Sequence, residues 1–314
     1  MTIRVGNHVT QALAAHRPVL ALESTIITHG LPRPRNLEVA RATEQQIRDM
    51  GVTPATIGVM NGEAVVGLSD AELEALALDD AVVKLSIRDL PIAAGLRLSG
   101  GTTVAATAML ACRCGIKVFS TGGLGGVHRG ASHTFDESAD LPSLALTPIV
   151  LVSAGVKSIL DVGATLERCE TLSIPVLGWQ THAYPGFYIA DSGFTVDYRV
   201  DEPAQVAAIA AARDELGITS AVLIAKALPA EHQLDKDLHD RVLAAGLAAA
   251  ESQGIHGHDI TPFLLDYMQR HTGGESLEAN LAAYRGNVEL GARLALALAG
   301  LPDVAPQEAG GGAA

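Results

Sequence analysis

Residues 116–130 read Ile116-Lys-Val-Phe-Ser-Thr121-Gly-Gly-Leu-Gly-Gly-Val-His128-Arg129-Gly130. A short, continuous apolar run that ends in glycines is the pattern of a fully buried strand emptying into a loop. The same grammar recurs on both sides. Pro18-Val-Leu-Ala-Leu-Glu-Ser-Thr, Val82-Val-Lys84-Leu-Ser, Ile149-Val-Leu-Val-Ser, Ile174-Pro-Val-Leu-Gly and Ser220-Ala-Val-Leu-Ile-Ala all read as short strands. Two further strands, Ala55-Thr-Ile-Gly-Val-Met and Glu63-Ala-Val-Val-Gly, flank Asn61-Gly62, a strong hairpin signal.

Helical patterns separate these runs. Residues 36–50 carry Leu37, Val39, Ala40 and Ile47 on one face, and Ser69-Asp-Ala-Glu72 opens a short helix as a capping box. Ser99-Gly100-Gly101-Thr102 reads as the start of a helix reaching Cys114, and a helix is expected from about Lys157 to Cys169. Residues 204–216, 237–253, 261–271 and 276–298 are helical by pattern, so the C-terminal third is mostly helix. Strands alternating with helices predict an α/β fold. Its mostly parallel central sheet is covered on both faces (an α/β/α sandwich). The expected organisation is one domain over residues 1–300 followed by a disordered tail, 301–314.

Composition narrows the function. The chain has 314 residues, 48% of them hydrophobic, enough for a large core. A formal net charge of −13 argues against general binding to nucleic acid or anionic membranes, though not against one local phosphate pocket. The three cysteines, Cys112, Cys114 and Cys169, make neither a disulfide framework nor a zinc ribbon. No signal-type leader and no long uninterrupted apolar run is visible, which reads as a soluble cytoplasmic protein.

In parallel sheets ligands bind beyond the carboxyl ends of the strands, so chemistry is sought there. There are five lysines, Lys84, Lys117, Lys157, Lys226 and Lys236. A lysine in apolar surroundings loses its proton more readily, and a neutral amine attacks a carbonyl to form an imine. Lys84 and Lys157 sit in such settings, although lysines at strand ends also simply reach out to water. Glu23 lies in an apolar run, where it suits general acid or base work or an internal ion pair. The 121–130 loop offers backbone amides, His128 and Arg129 to an anion, but matches neither a Walker loop nor a dinucleotide fingerprint. Asp136-Glu-Ser138-Ala139-Asp140 clusters carboxylates that suit a hard cation or, more plainly, a helix start. His29, beside Gly30, can line the same pocket. His256-Gly-His258 lacks two further metal ligands and reads as exposed.

Taken together, these segments resemble the pseudouridine-5′-phosphate glycosidase family, also called pseudouridylate synthase. The carrying strings are Ala21-Leu-Glu-Ser-Thr-Ile-Ile-Thr-His-Gly-Leu-Pro, Ser120-Thr-Gly-Gly-Leu-Gly-Gly-Val-His-Arg-Gly-Ala and His133-Thr-Phe-Asp-Glu-Ser-Ala-Asp-Leu. Two more are Ala154-Gly-Val-Lys-Ser-Ile-Leu-Asp and Thr261-Pro-Phe-Leu-Leu. They occur in family order over about residues 15–300. The resemblance implies reversible cleavage of pseudouridine 5′-phosphate to uracil and ribose 5-phosphate through a lysine imine at C1′. It also implies one Mn2+ per subunit (Mg2+ or another divalent ion being alternatives) and a homotrimer.

Residue by residue, the resemblance implies Glu23 as proton donor, Lys157 as nucleophile and Asp136 as the metal ligand. It implies substrate contacts from Lys84, Val104, Thr121, His128, Arg129, Ser138, Ala139 and Asp140, and from an asparagine of the C-terminal helix. Asn280 and Asn287 both lie in that helix. Asn287 is taken for the contact, although Gly286-Asn287 stands where paired asparagines are expected. Two other classes stay open: another imine-forming sugar-phosphate lyase or aldolase, and a non-catalytic phosphate-binding protein.

Overall fold

The computed structural model describes residues 1–255 and 260–300. The His256-Gly-His258 motif and the 301–314 tail lie outside the described residues. Eleven strands form one sheet: β1 Ile3–Val5, β2 Val19–Leu22, β3 Thr53–Met60, β4 Glu63–Val66, β5 Val83–Leu85, β6 Gly100–Thr102, β7 Val118–Ser120, β8 Val150–Ser153, β9 Val176–Trp179, β10 Tyr198–Val200 and β11 Val222–Ala225. The main order is β1-β4-β3-β2-β7-β8-β11-β9-β10, with β5 and β6 attached beside β3. Pairing is parallel except where β3 meets β4 across the Asn61-Gly62 turn and where it meets β6.

Strand periodicity places the two cores. In β2, Val19 and Ala21 face one cluster while Leu20 and Leu22 face the other, and Val118 and Phe119 of β7 divide the same way. Every second side chain of a strand points to the same face. One face is closed by Val104–Arg113, Lys236–Ser252 and Ile260–His271, the other by Arg35–Asp49, Pro203–Glu215 and Glu275–Leu298. Helices on both faces explain why the strands read as unbroken apolar runs.

Several local expectations need correction. Gly100–Thr102 is a strand, and the helix begins only at Val104. A Cβ at Gly100 would lie 2.3 Å from the Val83 carbonyl oxygen, and one at Gly101 2.2 Å from Thr28 Oγ1. Those glycines therefore serve close strand packing, not a helix start. The helix expected from Lys157 starts at Val162, with Asp161 accepting from the Ala164 amide at 3.0 Å, so Lys157 sits in the preceding loop. The stretch after Glu23 winds into a single π-helical turn, Ile26–Gly30. Strands β1 and β10 escaped the sequence reading.

Candidate active site

Three adjacent parallel strands end together, with Leu22, Ser120 and Val152 in register across β2, β7 and β8. The next residues, Glu23 and Thr121, are both buried. Thr121 donates its hydroxyl to Glu23 Oε1 and Thr25 donates to Oε2, so each carboxylate oxygen is held by a neutral donor. Such a carboxylate is fixed in direction with no buried cation attached to it. Thr121 is fixed in turn. Its amide donates to the Val152 carbonyl at 3.0 Å, and its carbonyl accepts from Asn287 Nδ2 at 2.8 Å.

Lys84 reaches this place from β5. Its side chain is solvent-accessible along its length, yet the surrounding protein partly desolvates its ammonium. That desolvation lowers its pKa, and Lys157 lowers it further, while Asp140 and Glu23 pull the other way. Lys157, Asp140 and Glu23 therefore all lie close enough to act on Lys84 and share one neighbourhood. His128 shares it: burial lowers its pKa, Asp136 opposes, and Lys157 and Lys84 add to the lowering. Lys157 itself follows β8. Its amide donates to the Leu124 carbonyl at 3.1 Å, and its neighbour Ser158 offers its carbonyl to Arg129 Nη2 at 3.4 Å.

The glycine-rich loop is less a ring of free amides than its sequence suggests. The amides of Leu124, Gly125, Val127 and His128 donate to Gly155, Asp140, Thr165 and Asp136. A Cβ would lie 2.5 Å from the Phe187 ring at Gly123, 2.2 Å from Ser138 Oγ at Gly125 and 2.5 Å from Thr165 Oγ1 at Gly126. The glycines let neighbouring side chains press on the loop.

The acidic cluster divides into three roles. Asp140 is buried and accepts from Ala105 N–H and Gly125 N–H, both at 2.9 Å, so it joins the start of the Val104–Arg113 helix to the loop. Ser138 Oγ accepts from the Asp140 amide at 3.2 Å, exposed Ala139 lies between them, and buried Val104 opens the helix. Glu137 pairs with Arg168 at 2.9 Å. Among the described residues the Asp136 carboxylate has one ion-pair partner, His128 Nδ1 at 4.0 Å, and it stays partly exposed. One open, hard oxygen donor fits a Mn2+ or Mg2+ ion whose remaining ligands are water or substrate. Among the described residues there is no group of three His, Cys, Asp or Glu side chains that would hold a metal without such help.

The two asparagines separate. Asn287 is buried, and its amide is spent on the Thr121 and Gly122 carbonyls at 2.8 and 3.2 Å. It braces the loop from behind. Asn280 instead lines a cavity of about 310 Å3 with His29, Tyr188, Asp266 and Gln269. Its Oδ1 is buried without a partner, 3.2 Å from where a Cβ on Gly122 would lie. Of the two, Asn280 is the one that lines a cavity. Sequence reasoning also passed over Thr25, although its place two residues after Glu23 was open to reading.

The comparisons agree with one another. The profile of the family described as "Indigoidine synthase A like protein" matches residues 8–297. The chain is 62% identical over 296 residues to the "Pseudouridine-5′-phosphate glycosidase" of Saccharopolyspora erythraea, covering 94% of this chain and 98% of that one. A protein of the same name from Frankia alni is 56% identical, with 95% and 82% covered. Among solved structures, the prealnumycin C-glycosynthase AlnA in complex with ribulose 5-phosphate superposes with a TM-score of 0.89 at 34% identity, covering 96% and 98% of the two chains. An indigoidine synthase A-like protein of Thermotoga maritima gives 0.87 at 35%, covering 95% and 97%.

Proposed function

The chain belongs to the pseudouridine-5′-phosphate glycosidase family, within the wider indigoidine synthase A like group, and from that membership we propose that it cleaves pseudouridine 5′-phosphate reversibly to uracil and ribose 5-phosphate. The observation that carries the reading is the convergence of Glu23 from the end of β2, Lys84 from within β5 and Lys157 from the loop after β8, with Lys84 under the influence of both others.

The residue types suit the bond. C1′ of ribose is joined to C5 of uracil, a carbon with no lone pair to protonate, so paired carboxylates alone do not suffice. In the proposed sequence the C1′–O4′ bond breaks and O4′ takes a proton. The Lys157 amine bonds to C1′. The C1′–C5 bond then breaks, its electron pair leaving with C5, which takes a proton as the nitrogen forms the imine. Water adds to the imine, releasing ribose 5-phosphate and the free amine. Glu23, held by two hydroxyls beside the strand ends, moves these protons. Lys84 and Arg129 hold the anionic substrate, with His128, Thr121, Val104, Ser138 and Ala139 around it. Asp140 acts through the loop it anchors, and Asn280, more than Asn287, faces the ligand.

Asp136 is the residue that would hold Mn2+, or Mg2+ in its place, and the ion would supply positive charge to an anionic substrate. Assembly as a homotrimer is proposed from the family resemblance, and residence in the cytoplasm from the sequence reading. Among the described residues, no helix is long and apolar enough to cross a membrane. The test is incubation with pseudouridine 5′-phosphate and Mn2+, with uracil followed by chromatography. Uracil and ribose 5-phosphate in equal amounts are expected. Another aldehyde product would favour the aldolase alternative, and binding without turnover would favour the phosphate-binding one.

A further inference from the structure

We infer that Tyr184 is a positioning residue for the Lys157 nucleophile, its buried hydroxyl fixing the backbone from which the lysine projects. The inference rests on the proposed reading of Lys157 and concerns how the fold holds that residue. Beyond Ser153 the chain runs on from β8 as residues 154–157. On one side this segment pairs with the glycine-rich loop: Ala154 N–H donates to Gly122 O at 3.0 Å, Leu124 N–H to Gly155 O at 3.0 Å, and Lys157 N–H to Leu124 O at 3.1 Å. On the other side the neighbouring strand gives out. Pairing with β11 ends where Lys226 N–H donates to Ser153 O at 2.9 Å.

Val156 is buried, and its amide has no strand to pair with. A buried N–H must find an acceptor or destabilise its surroundings. Tyr184 supplies one, its Oη accepting from Val156 N–H at 3.1 Å. This bond acts on the residue directly before Lys157.

The turn that carries Tyr184 is built onto the same segment. Phe187 N–H donates to Ala154 O at 3.2 Å. Gly155 has φ +79°, and a Cβ there would lie 2.6 Å from the Pro185 carbonyl oxygen and 3.0 Å from the Tyr184 ring. Phe187 has φ +68°, which a bulky residue adopts only when its surroundings dictate it. Here its ring presses on Gly123 and stacks edge-on with Tyr188 at 4.6 Å between centroids. The Tyr184–Phe187 turn thus meets residues 154, 155 and 156 in succession, and the glycine-rich loop holds them from the opposite side. Lys157 is delivered from a backbone clamped between the two.

The test compares Tyr184→Phe with the wild type, since the ring is kept and only the acceptor is lost. Loss of nucleophile alignment should lower kcat about 10- to 100-fold and leave KM within about twofold. Borohydride trapping of ribose 5-phosphate on Lys157 should slow in proportion. Wild-type kcat in Tyr184→Phe, or a rise in KM alone, would overturn the inference. A second measurement needs no variant: hydrogen exchange resolved by residue should show the Val156 amide among the slowest of residues 150–160. Exchange at the rate of an open loop would also overturn it. Trapping in the wild type separates the two claims. No adduct there removes Lys157 as nucleophile and the inference with it, whereas equal trapping in both proteins removes only the role of Tyr184.

Discussion

Replacing Asp140 by asparagine tests how the active-site loop is held. Both carboxylate oxygens of this buried residue accept backbone amides, one from Ala105 in the first turn of the Val104–Arg113 helix and one from Gly125 of the glycine-rich loop. The helix has no local side-chain cap, because Thr103 Oγ1 is buried without a partner. Asp140 does that work from 35 residues away. Asparagine keeps the shape, but one oxygen becomes an NH2 that faces an N–H, donor against donor. An unpaired buried amide costs about 1–3 kcal/mol. Loss of a negative charge at a helix N-terminus adds about 0.3–1 kcal/mol. The expected destabilisation is therefore about 1.3–4 kcal/mol. Urea unfolding should show the midpoint falling by that amount divided by an unchanged m. Turnover should fall as well, because Gly125 is the loop's attachment beside His128. A loss of stability under about 0.5 kcal/mol, within the ordinary range for surface substitutions, would refute the strut.

Three further outcomes follow from the same geometry. Lys84 should titrate below 10.5 by NMR, and Lys157→Met should raise its midpoint without restoring it, since desolvation by the surrounding protein is the larger cause. The native state then binds this proton less tightly than the unfolded chain, so Lys84 costs stability at neutral pH, and the cost is relieved as pH rises through its lowered pKa toward 10.5. Exhaustive chelation and Asp136→Ala should each remove most activity, with Mn2+ restoring only the chelated wild type; full activity after chelation would take the metal out of the reaction. Free pseudouridine should be a far poorer substrate than its 5′-phosphate, since charge-assisted bonds contribute about 1.5–3 kcal/mol each, and comparable kcat/KM for the two would contradict the assigned roles of Lys84 and Arg129.

The sheet was legible because strands buried on both faces need continuous apolar runs, and these stand out between helical patterns. What misled was glycine. Gly100 and Gly101 looked like a helix approach but serve close strand packing, a tertiary demand that leaves no periodic trace. The edge strands β1 (Ile-Arg-Val) and β10 (Tyr-Arg-Val) are each split by an arginine and lack the apolar lead-in that marked the equally short β5 and β7. At the site, Glu23, Lys84 and Lys157 could be singled out as polar groups within or just after apolar runs. Which groups of the 136–140 cluster were spent internally could not, since that depends on Ala105, Gly125 and Arg168 arriving from elsewhere in the chain. The two asparagines differ for the same reason: Asn287 lies under the loop and Asn280 at the cavity. Tyr184 left no mark in the sequence, because its role depends on a strand that ends one pairing too early.

The central claim is the covalent role of Lys157, and borohydride reduction during incubation with ribose 5-phosphate tests it most directly. Peptide mapping by mass spectrometry should find one reduced pentose phosphate on the peptide containing Lys157. Lys157→Ala should lose both the adduct and cleavage of pseudouridine 5′-phosphate. Lys226 is the informative competitor, since burial lowers its pKa at the end of the adjacent strand, with Glu289 opposing. An adduct mapped to Lys84 or Lys226, or full activity in Lys157→Ala with no adduct at all, would contradict the account.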